Sequence, residues 1–553
     1  MDSLYGWLGL IFGFSGLIFI HELGHFALAK WNGVKVYVFS LGMGPYLLSF
    51  TYKGTVYALS MIPIGGYVKL MGQDDLHPNE EASKDESDYR NKRPGQKAAI
   101  LAAGAIFNLI FTLAAFTLCY AYGIHIEPPR IGEIAPETRL AKAEMHPDRT
   151  PANLQKGELV LEVNSVPVKT FLEAQLQISG ARKEEELWLK VQRLNGREDL
   201  VIVKARHDKS YGASSIGMDR YTWKYSLPLG FEAEEQFFVA DFDKQKDGEA
   251  LKKKPAYLAG LRTGDRILSI EDKTHPEGPQ YTKVEDLEDI MFAPQKSGGR
   301  PLTYNILRDG KEISLTITPV KNEETERHFV GFLPDVRRPV TAIDENSEAY
   351  KAGLRQGDLV LGFLPDNPND EEWKSGKLIW KKKPEDTRRI EAKLTVPQNP
   401  APGTLVFKQG RQDIQFYKLP TLGAALTMAW DDTIRFSGSV FTVLRGLFTG
   451  DVSTKALSGA VGIGDVMFKV ASTQTAMNFL WFLGFISLNL GVLQFVPIPL
   501  LDGWHLLMVA VEKLKGSPVA PKIQEAFQYV GIVIVGCLLL LSFYNDIRRI
   551  FLP

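Results

Sequence analysis

The sequence predicts an α-helical polytopic membrane protein with about four transmembrane helices, a membrane-associated β-hairpin or sheet, and repeated α+β domains. Three observations support this fold class. Apolar stretches occupy both ends of the 553-residue chain, a polar and charged block separates them, and one phrase recurs within that block. A chain of this length is expected to form several domains.

The composition limits the classes of function. The formal net charge is -1, so long-range attraction to nucleic acid is not expected, and no nucleic-acid partner is predicted. The two cysteines, Cys119 and Cys537, lie in apolar segments, so no disulfide framework braces the central block. The N-terminus lacks the basic region and cleavage site of a removable signal peptide, and we expect the first apolar segment to remain as an anchor.

Four apolar segments are long enough to cross a bilayer. They lie at 4–29, 98–122, 477–496 and 527–543. The loop at 30–97 is rich in Lys and Arg, and the loop before the last segment carries Lys513, Lys515 and Lys522. Because short cationic loops stay in the cytoplasm, the chain ends and the central block are predicted on the opposite side.

The first loop is predicted to form a small sheet. Residues 35–40 and 52–57 alternate like strands, and Ile-Pro-Ile-Gly-Gly-Tyr-Val-Lys follows at 62–69. Extended backbone near the membrane is tolerated where it lines a cavity or is buried in protein. The sheet, including Gly65 and Gly66, could therefore lie beside a site and add a substrate strand at its edge. An ordinary soluble hairpin is the alternative.

The central block contains three copies of one phrase. They lie at 151–163, 255–270 and 347–363. Each copy is predicted to run from a short helix through a Gly-Asp or Gly-Glu turn into a buried strand. The copies resemble tandem PDZ-like domains. We predict these domains at 127–225, 226–336 and 337–420, with a polar insertion at 366–386.

The segment at 421–450 places apolar residues at helical spacing, with Arg435 and Arg445 as its basic residues. We predict an amphipathic helix that lies on the outer face of the membrane crossed by the spans or, alternatively, packs on the repeats. The membrane domains then comprise 1–126 before the repeats and 451–553 after this helix.

His-Glu-Leu-Gly-His at 21–25 lies near the inner end of the first apolar segment. On a helix, His21 and His25 project from one face at the spacing that binds one Zn²⁺. Glu22 projects beside them and is predicted as the general base. Ionisable side chains at membrane depth are costly unless they bind a ligand or act chemically, which favours a functional site.

Asp502, within Leu-Asp-Gly at 501–503, is the predicted third metal ligand. The charge rule brings it to the same membrane depth as His21 and His25. Two histidines and one carboxylate leave a fourth zinc position for water, as catalytic zinc requires. The metal would activate that water and polarise a substrate carbonyl, while Glu22 would pass the proton to the leaving amine.

These motifs resemble those of the site-2 protease family of intramembrane zinc metalloproteases, peptidase family M50, in particular its bacterial branch with tandem PDZ domains. The matching motifs lie at 21–25, 53–57, 63–69, 103–108 and 497–503. The resemblance spans essentially the whole chain. It implies a Zn²⁺ enzyme that cuts pre-trimmed single-pass transmembrane substrates, including anti-sigma factors and signal-peptide remnants.

The resemblance also implies a location and a topology. The chain is expected in the bacterial inner (cytoplasmic) membrane, with the lipid bilayer as a partner. Its PDZ-like domains are expected on the periplasmic side as a size filter, and its active site near the cytoplasmic side.

Two further polar residues are predicted to contact substrate. Gln494 stands where the family usually has Asn, and an amide there could stabilise an oxyanion or hold unwound substrate. Asn108 matches a family position and is predicted to hold the site or substrate. Packing at a helix interface is the alternative for both residues.

The sequence departs from the family at Trp504, which replaces a glycine, and in having three PDZ-like copies where two are usual. The competing function is a catalytically inactive, membrane-anchored PDZ scaffold derived from such a protease. Loss of a metal ligand or of Glu22 would favour the scaffold, but all four residues are present.

Overall fold

The structure is a computed structural model with two compact units. One unit comprises Met1–Ile126 and Phe416–Pro553, and the other comprises Glu127–Gln415. The structure describes all residues except 1, 73–84, 133, 135–137, 183, 209–212, 217, 219, 221, 244, 246–247, 276–277, 286, 323–327, 367–372, 385, 387, 451–457, 518–520 and 552–553. Part of the polar insertion predicted at 366–386 therefore lies outside the described residues.

The first unit is built mainly from helices. Its described α-helices are Asp2–Trp31 (the first helix), Pro94–Tyr122 (the second helix), Leu422–Thr449 (the surface helix), Ala460–Thr473, Ala476–Gln494 (the third span), Asp502–Lys515 (the Asp502 helix) and Pro521–Phe551 (the last helix). Within the described residues, four helices are long and apolar enough to cross a membrane. The four predicted transmembrane helices are thereby confirmed as candidate spans.

The first loop forms the predicted sheet, but its pairing is more elaborate than a hairpin. Two long antiparallel strands, Val36–Tyr52 and Thr55–Leu70, fold back on themselves through register shifts. Phe39 therefore faces both Tyr57 and Val68 in two different ladders. The stretch around Val68 becomes an edge of the sheet. A short 3₁₀ helix at Tyr89–Asn91 precedes the second helix.

The surface helix has one buried face, formed in part by Phe436. The ring of Phe436 lies 6.2 Å from Phe116 of the second helix and 5.4 Å from Phe485 of the third span. The hydroxyl of Tyr120 also donates a hydrogen bond to the buried carboxylate of Asp432. These contacts show that the helix packs on the spans, whereas its position on a membrane surface stays a prediction.

Two helices of the first unit were not predicted from the sequence. In the helix Ala460–Thr473, the carboxylate of Asp546 caps the N-terminus by accepting the backbone N–H groups of Gly459 and Gly462. The third span ends at Gln494, and a non-helical connection that contains two prolines leads from it to the Asp502 helix. Asp502, predicted at the membrane depth of His21 and His25, begins this separate helix because proline cannot continue the preceding one.

The second unit contains three hydrophobic cores. The first core has a sheet of Glu144–Met145, Leu159–Val163, Val166–Pro167, Glu186–Gln192 and Glu198–Lys204, with the helix Phe171–Ser179. The second has Gln236–Val239, Arg266–Glu271, Gln280–Tyr281, Leu302–Arg308, Lys311–Ile317 and Pro334–Arg337, with the helices Gly248–Leu251, Pro255–Leu258 and Leu287–Lys296.

The third core combines distant stretches of chain. Its strands are Thr222–Leu227, Phe231–Ala233, Val340–Ile343, Leu359–Pro365, Ser375–Lys381, Ile390–Thr395 and Phe407–Gln412, with the helix Glu348–Lys351. Short strand pairs outside these sheets are Arg206–Asp208 with Ala213–Ser215, Val320–Lys321 with His328–Phe329, and Ile124–Ile126 with Gln415–Tyr417.

The predicted domain boundaries at 226 and 337 treat the copies as consecutive, and the structure differs. Phe231 is fully buried in the third core and pairs with Ile343, although the second core begins only at Phe237. The second core is therefore inserted within the third. The repeated phrase revealed the turn and strand of each copy and the helix of the second and third copies, but the strand that enters the third core earlier has no such signature.

The predicted short helix is present in the second and third copies, as Pro255–Leu258 and Glu348–Lys351. In the first copy the prediction is wrong, since residues 152–158 form no helix. Asn153 has a φ of 46°, a left-handed conformation that interrupts a right-handed helix. Strand Leu159–Val163 nevertheless follows the turn as predicted.

Candidate metal centre

Two histidines on the first helix converge on one point. His21 and His25 lie one turn apart, and their Nε2 atoms are 3.1 Å from each other. Nδ1 of His25 donates a hydrogen bond to the backbone carbonyl of Ile100, at 2.8 Å. Since a carbonyl can only accept, Nδ1 carries the proton and Nε2 is left as a lone-pair donor. His25 is thus held in the state that binds a metal.

Asp502 reaches the same point from the start of its helix. Its Oδ2 atom lies 3.3 Å from Nε2 of His21 and 3.2 Å from Nε2 of His25. This oxygen is buried and has no hydrogen-bond partner among the described residues. A buried carboxylate oxygen without a donor is costly unless a cation or an N–H compensates it.

The spacing of the three atoms fits a tetrahedral metal ion. Nitrogen and oxygen ligands bind Zn²⁺ at about 2.0–2.1 Å, so two ligands of one ion are about 3.3–3.4 Å apart. The three observed separations are 3.1, 3.2 and 3.3 Å. Within the described residues, His21, His25 and Asp502 are the one group of three such side chains close enough to share an ion. The residues present fit the metal that the sequence predicts.

Glu22 lies between the histidines and the sheet. A backbone hydrogen bond links its carboxylate to Val68 in the edge strand of the sheet. A Cβ atom at Gly66 would lie 3.7 Å from Cγ of Glu22. The predicted base and the predicted substrate edge are therefore neighbours in the fold.

The two predicted substrate glycines differ in their surroundings. Gly66 is close to the neighbouring strand, since a Cβ there would lie 2.9 Å from the carbonyl oxygen of Ser40. Gly65 has a φ of 93°, which L side chains rarely adopt, and lies against Met43. Both glycines lie in the strand Thr55–Leu70, close to the edge residue Val68. Their contact with a substrate stays a prediction.

Gln494 lies beside Asp502, one of the three predicted metal ligands. Its Oε1 atom accepts a hydrogen bond from the backbone N–H of Asp502, at 3.3 Å. Gln494 ends the third span, and this contact ties the end of the span to the start of the Asp502 helix. Gln494 thereby helps to position Asp502, and its contact with substrate stays a prediction.

Asn108 lies on the second helix and is only 1% exposed. Its Nδ2 atom is 3.4 Å from Nδ1 of His21. The structure therefore brings Asn108 to a predicted metal ligand and buries its side chain, while the predicted contact with substrate stays a prediction.

Two glycines at the site were not identified as functional from the sequence. Gly24 and Ala103 mark the close crossing of the first two helices, where a Cβ at Gly24 would lie 2.3 Å from the carbonyl oxygen of Ala103. A Cβ at Gly104 would lie 2.5 Å from both His21 and His25. Gly104 was noted only as part of a family motif, and the motif alone did not indicate that it lies against the ligands.

The chain belongs to peptidase family M50, whose model matches residues 9–538. Curated relatives match along essentially their whole length. The regulator of sigma-E protease RseP of Escherichia coli K12 is 27% identical, covering 100% of both chains. The corresponding RseP protein of Salmonella typhimurium is also 27% identical, with 100% of both chains covered. A Vibrio cholerae protein named as a candidate zinc metalloprotease is 27% identical over 99% of this chain and 100% of its own.

Family and relatives together identify this chain as a zinc metalloprotease of the M50 type, with several candidate membrane spans. This confirms the family resemblance and the enzyme class that the sequence predicted.

Proposed function

We propose that this protein is an intramembrane zinc endopeptidase that performs regulated intramembrane proteolysis on pre-trimmed single-pass membrane proteins. The observation that carries the proposal is the convergence of His21, His25 and Asp502 at the spacing of a tetrahedral ion. The name of the RseP relatives, regulator of sigma-E protease, supports anti-sigma-factor-like substrates, and signal-peptide remnants are a second class with the same chemistry.

In this proposal His21, His25 and Asp502 hold Zn²⁺, which when bound lowers the pKa of a water molecule and polarises the substrate carbonyl. Glu22 accepts the proton of the attacking water and delivers it to the leaving amine. The hydrogen bond from Val68 and the nearby Gly66 hold Glu22 beside the sheet edge.

The edge strand supplies a way to hold the substrate. Peptide bonds within a transmembrane helix are protected by their own hydrogen bonds, so the helix must unwind before cleavage. An unwound segment can pair with the backbone of the edge strand that contains Gly66 and Val68. Gly65 and Gly66 belong to this edge strand, and Gln494 donates its NH₂ group to the developing oxyanion.

The topology in this proposal places the chain in the bacterial inner membrane. The cationic loop at 30–97, together with Lys513, Lys515 and Lys522, is on the cytoplasmic side. The metal site is then near the cytoplasmic face. The central unit, Glu127–Gln415, is periplasmic, and its three PDZ-like cores act as a size filter.

Glu22→Gln tests the chemical part of the proposal. Because Glu22 is not a ligand in the structure, the variant should keep its zinc but lose cleavage of a model transmembrane peptide, since Gln cannot accept the proton. Asp465→Asn is the matched control. The Asp465 carboxylate pairs with Lys469 within the helix Ala460–Thr473, so its replacement should leave zinc content and cleavage unchanged. Wild-type turnover by Glu22→Gln would remove Glu22 from the mechanism, and zinc without turnover in the wild type would favour the inactive scaffold.

Replacing Glu127–Gln415 by a flexible linker tests the filter. The chain should then cut full-length substrates that the wild type leaves intact until they are trimmed. The same deletion combined with Glu22→Gln is the control, since it must show no cleavage. Unchanged discrimination between trimmed and untrimmed substrate would contradict a filter role.

A further inference from the structure

Asn108 is fixed in place by the third span. Its backbone carbonyl accepts hydrogen bonds from the hydroxyls of Thr112, at 2.9 Å, and Ser487, at 3.1 Å. Its Cβ atom lies against Gly491, where an added Cβ would be only 3.2 Å away. The side chain therefore has a defined position between two helices.

The Asn108 side chain contacts Nδ1 of His21, the ring nitrogen that does not face the predicted metal site. Nδ2 lies 3.4 Å from Nδ1 of His21, while Oδ1 is buried and has no partner among the described residues. When Nε2 of His21 faces the ion, Nδ1 carries the ring proton and needs an acceptor. An amide NH₂ facing this N–H would place two donors together. Because the two ends of an amide have the same shape, turning the group by a half-turn places Oδ1 toward Nδ1 and satisfies both atoms.

We propose that Asn108 is a positioning residue for the metal, whose Oδ1 atom accepts the Nδ1–H hydrogen bond of His21. This inference rests on the proposed metal site and assigns to Asn108 a role other than substrate contact. The carbonyl of Ile100 does the same for His25, at 2.8 Å. Both histidines are then held from the second helix, one by backbone and one by a side chain.

This assignment explains why a polar amide lies at a position that is only 1% exposed. A buried amide is costly unless its groups are paired, and the ring N–H supplies the pair. The contact fixes the orientation of the His21 ring and raises its basicity as a ligand. Removing such a partner typically weakens metal affinity about 10- to 100-fold.

The test compares variants that differ in the acceptor. Asn108→Ala removes the acceptor and Asn108→Ser leaves only a shorter hydroxyl, whereas Asn108→Asp keeps a carboxyl oxygen in its place. Asn478→Ala is the matched control. Asn478 is a partly buried asparagine near the start of the third span, and its side-chain amide forms hydrogen bonds with the backbone of His125. Zinc affinity of each full-length protein is measured by competition with a chelator, and the site geometry by the visible absorption of the Co²⁺-substituted protein.

We expect Asn108→Ala and Asn108→Ser to bind zinc about 10- to 100-fold more weakly, with a changed cobalt spectrum. Asn108→Asp and Asn478→Ala should retain wild-type affinity. If Asn108→Ala and Asn108→Ser bind zinc normally but lose cleavage, Asn108 contacts substrate and the inference is overturned. If the wild type binds no metal, the proposed function itself fails, and this inference with it. Using two removal variants keeps the test decisive should one of them not fold.

Discussion

Gly104 offers the most direct test of the helix packing around the metal site. An alanine at this position would place its Cβ 2.5 Å from Cε1 of His21 and 2.5 Å from Nε2 of His25. Both atoms belong to predicted ligand rings rather than to flexible side-chain ends. We therefore expect Gly104→Ala to displace the ligands themselves.

The size of the effect follows from the distances. Ordinary contact begins near 3.4 Å, so relief of a 2.5 Å contact requires a movement of about 0.9 Å. Metal–ligand distances tolerate deviations of only about 0.2 Å. Adding a methyl to a well-packed interior typically costs about 1–3 kcal/mol. If that cost falls on metal binding, zinc affinity decreases by about 5- to 140-fold.

The assay is chelator competition on purified full-length Gly104→Ala, with cleavage of a model transmembrane peptide measured in parallel. Gly95→Ala is the control, because Gly95 lies on the same helix and an added Cβ there meets nothing within 4 Å. Thermal unfolding shows whether the helices have separated instead of the ligands moving. Zinc affinity equal to that of the wild type and of Gly95→Ala would refute the packing argument.

Two further predictions concern a ligand and the central unit. Asp502→Ala removes one of three ligands, so the purified protein should lose stoichiometric zinc and cleavage, while Asp465→Asn should keep both; zinc retained in full would exclude Asp502 as a ligand. In the second core, burial raises the pKa of Asp272, but hydrogen bonds from Thr274 and Arg300 outweigh burial and hold this pKa at about 2. The ionised carboxylate therefore stabilises the fold above about pH 4, and this contribution is lost as the pH falls through 2. Asp272→Asn should lower the free energy of unfolding by on the order of 1–3 kcal/mol at pH 6 and have little effect at pH 2; an equal loss at both pH values, measured by denaturant unfolding, would contradict the ionic role.

The candidate spans could be predicted because a membrane-crossing helix needs about 20 consecutive apolar residues. The shorter helices carried no comparable signal. Ala460–Thr473 has its N-terminus capped by Asp546, which is more than 80 residues away in the chain. A cap supplied from another helix cannot be recognised in a local sequence pattern, so this helix was missed.

The nesting of the second core within the third was also beyond local patterns. The phrase shared by the copies contains the turn and strand that each core builds locally, and the helix of the second and third cores. Phe231 joins the third core through pairing with Ile343, and nothing in the sequence near Phe231 specifies so distant a partner. Strand pairing of high sequence separation depends on the whole fold.

The metal ligands could be proposed from the sequence because their geometry is partly local. The spacing of His21 and His25 sets two nitrogens on one helix face, and the charge rule aligned Asp502 in depth. The residues that position these ligands could not be recognised in the same way. Ile100 acts through its carbonyl, and Gly104 acts by having no side chain, so neither residue type indicates its role.

Gln494 shows how a departure from the family pattern can keep the architecture of the site. The chain turns away from the third span after Gln494, and the Asp502 helix begins eight residues later. Gln494 links the two helices, because its Oε1 atom accepts a hydrogen bond from the backbone N–H of Asp502, at 3.3 Å. The proposed contact of its NH₂ group with a substrate carbonyl would leave this hydrogen bond in place, because the oxygen and the NH₂ group are separate ends of one amide.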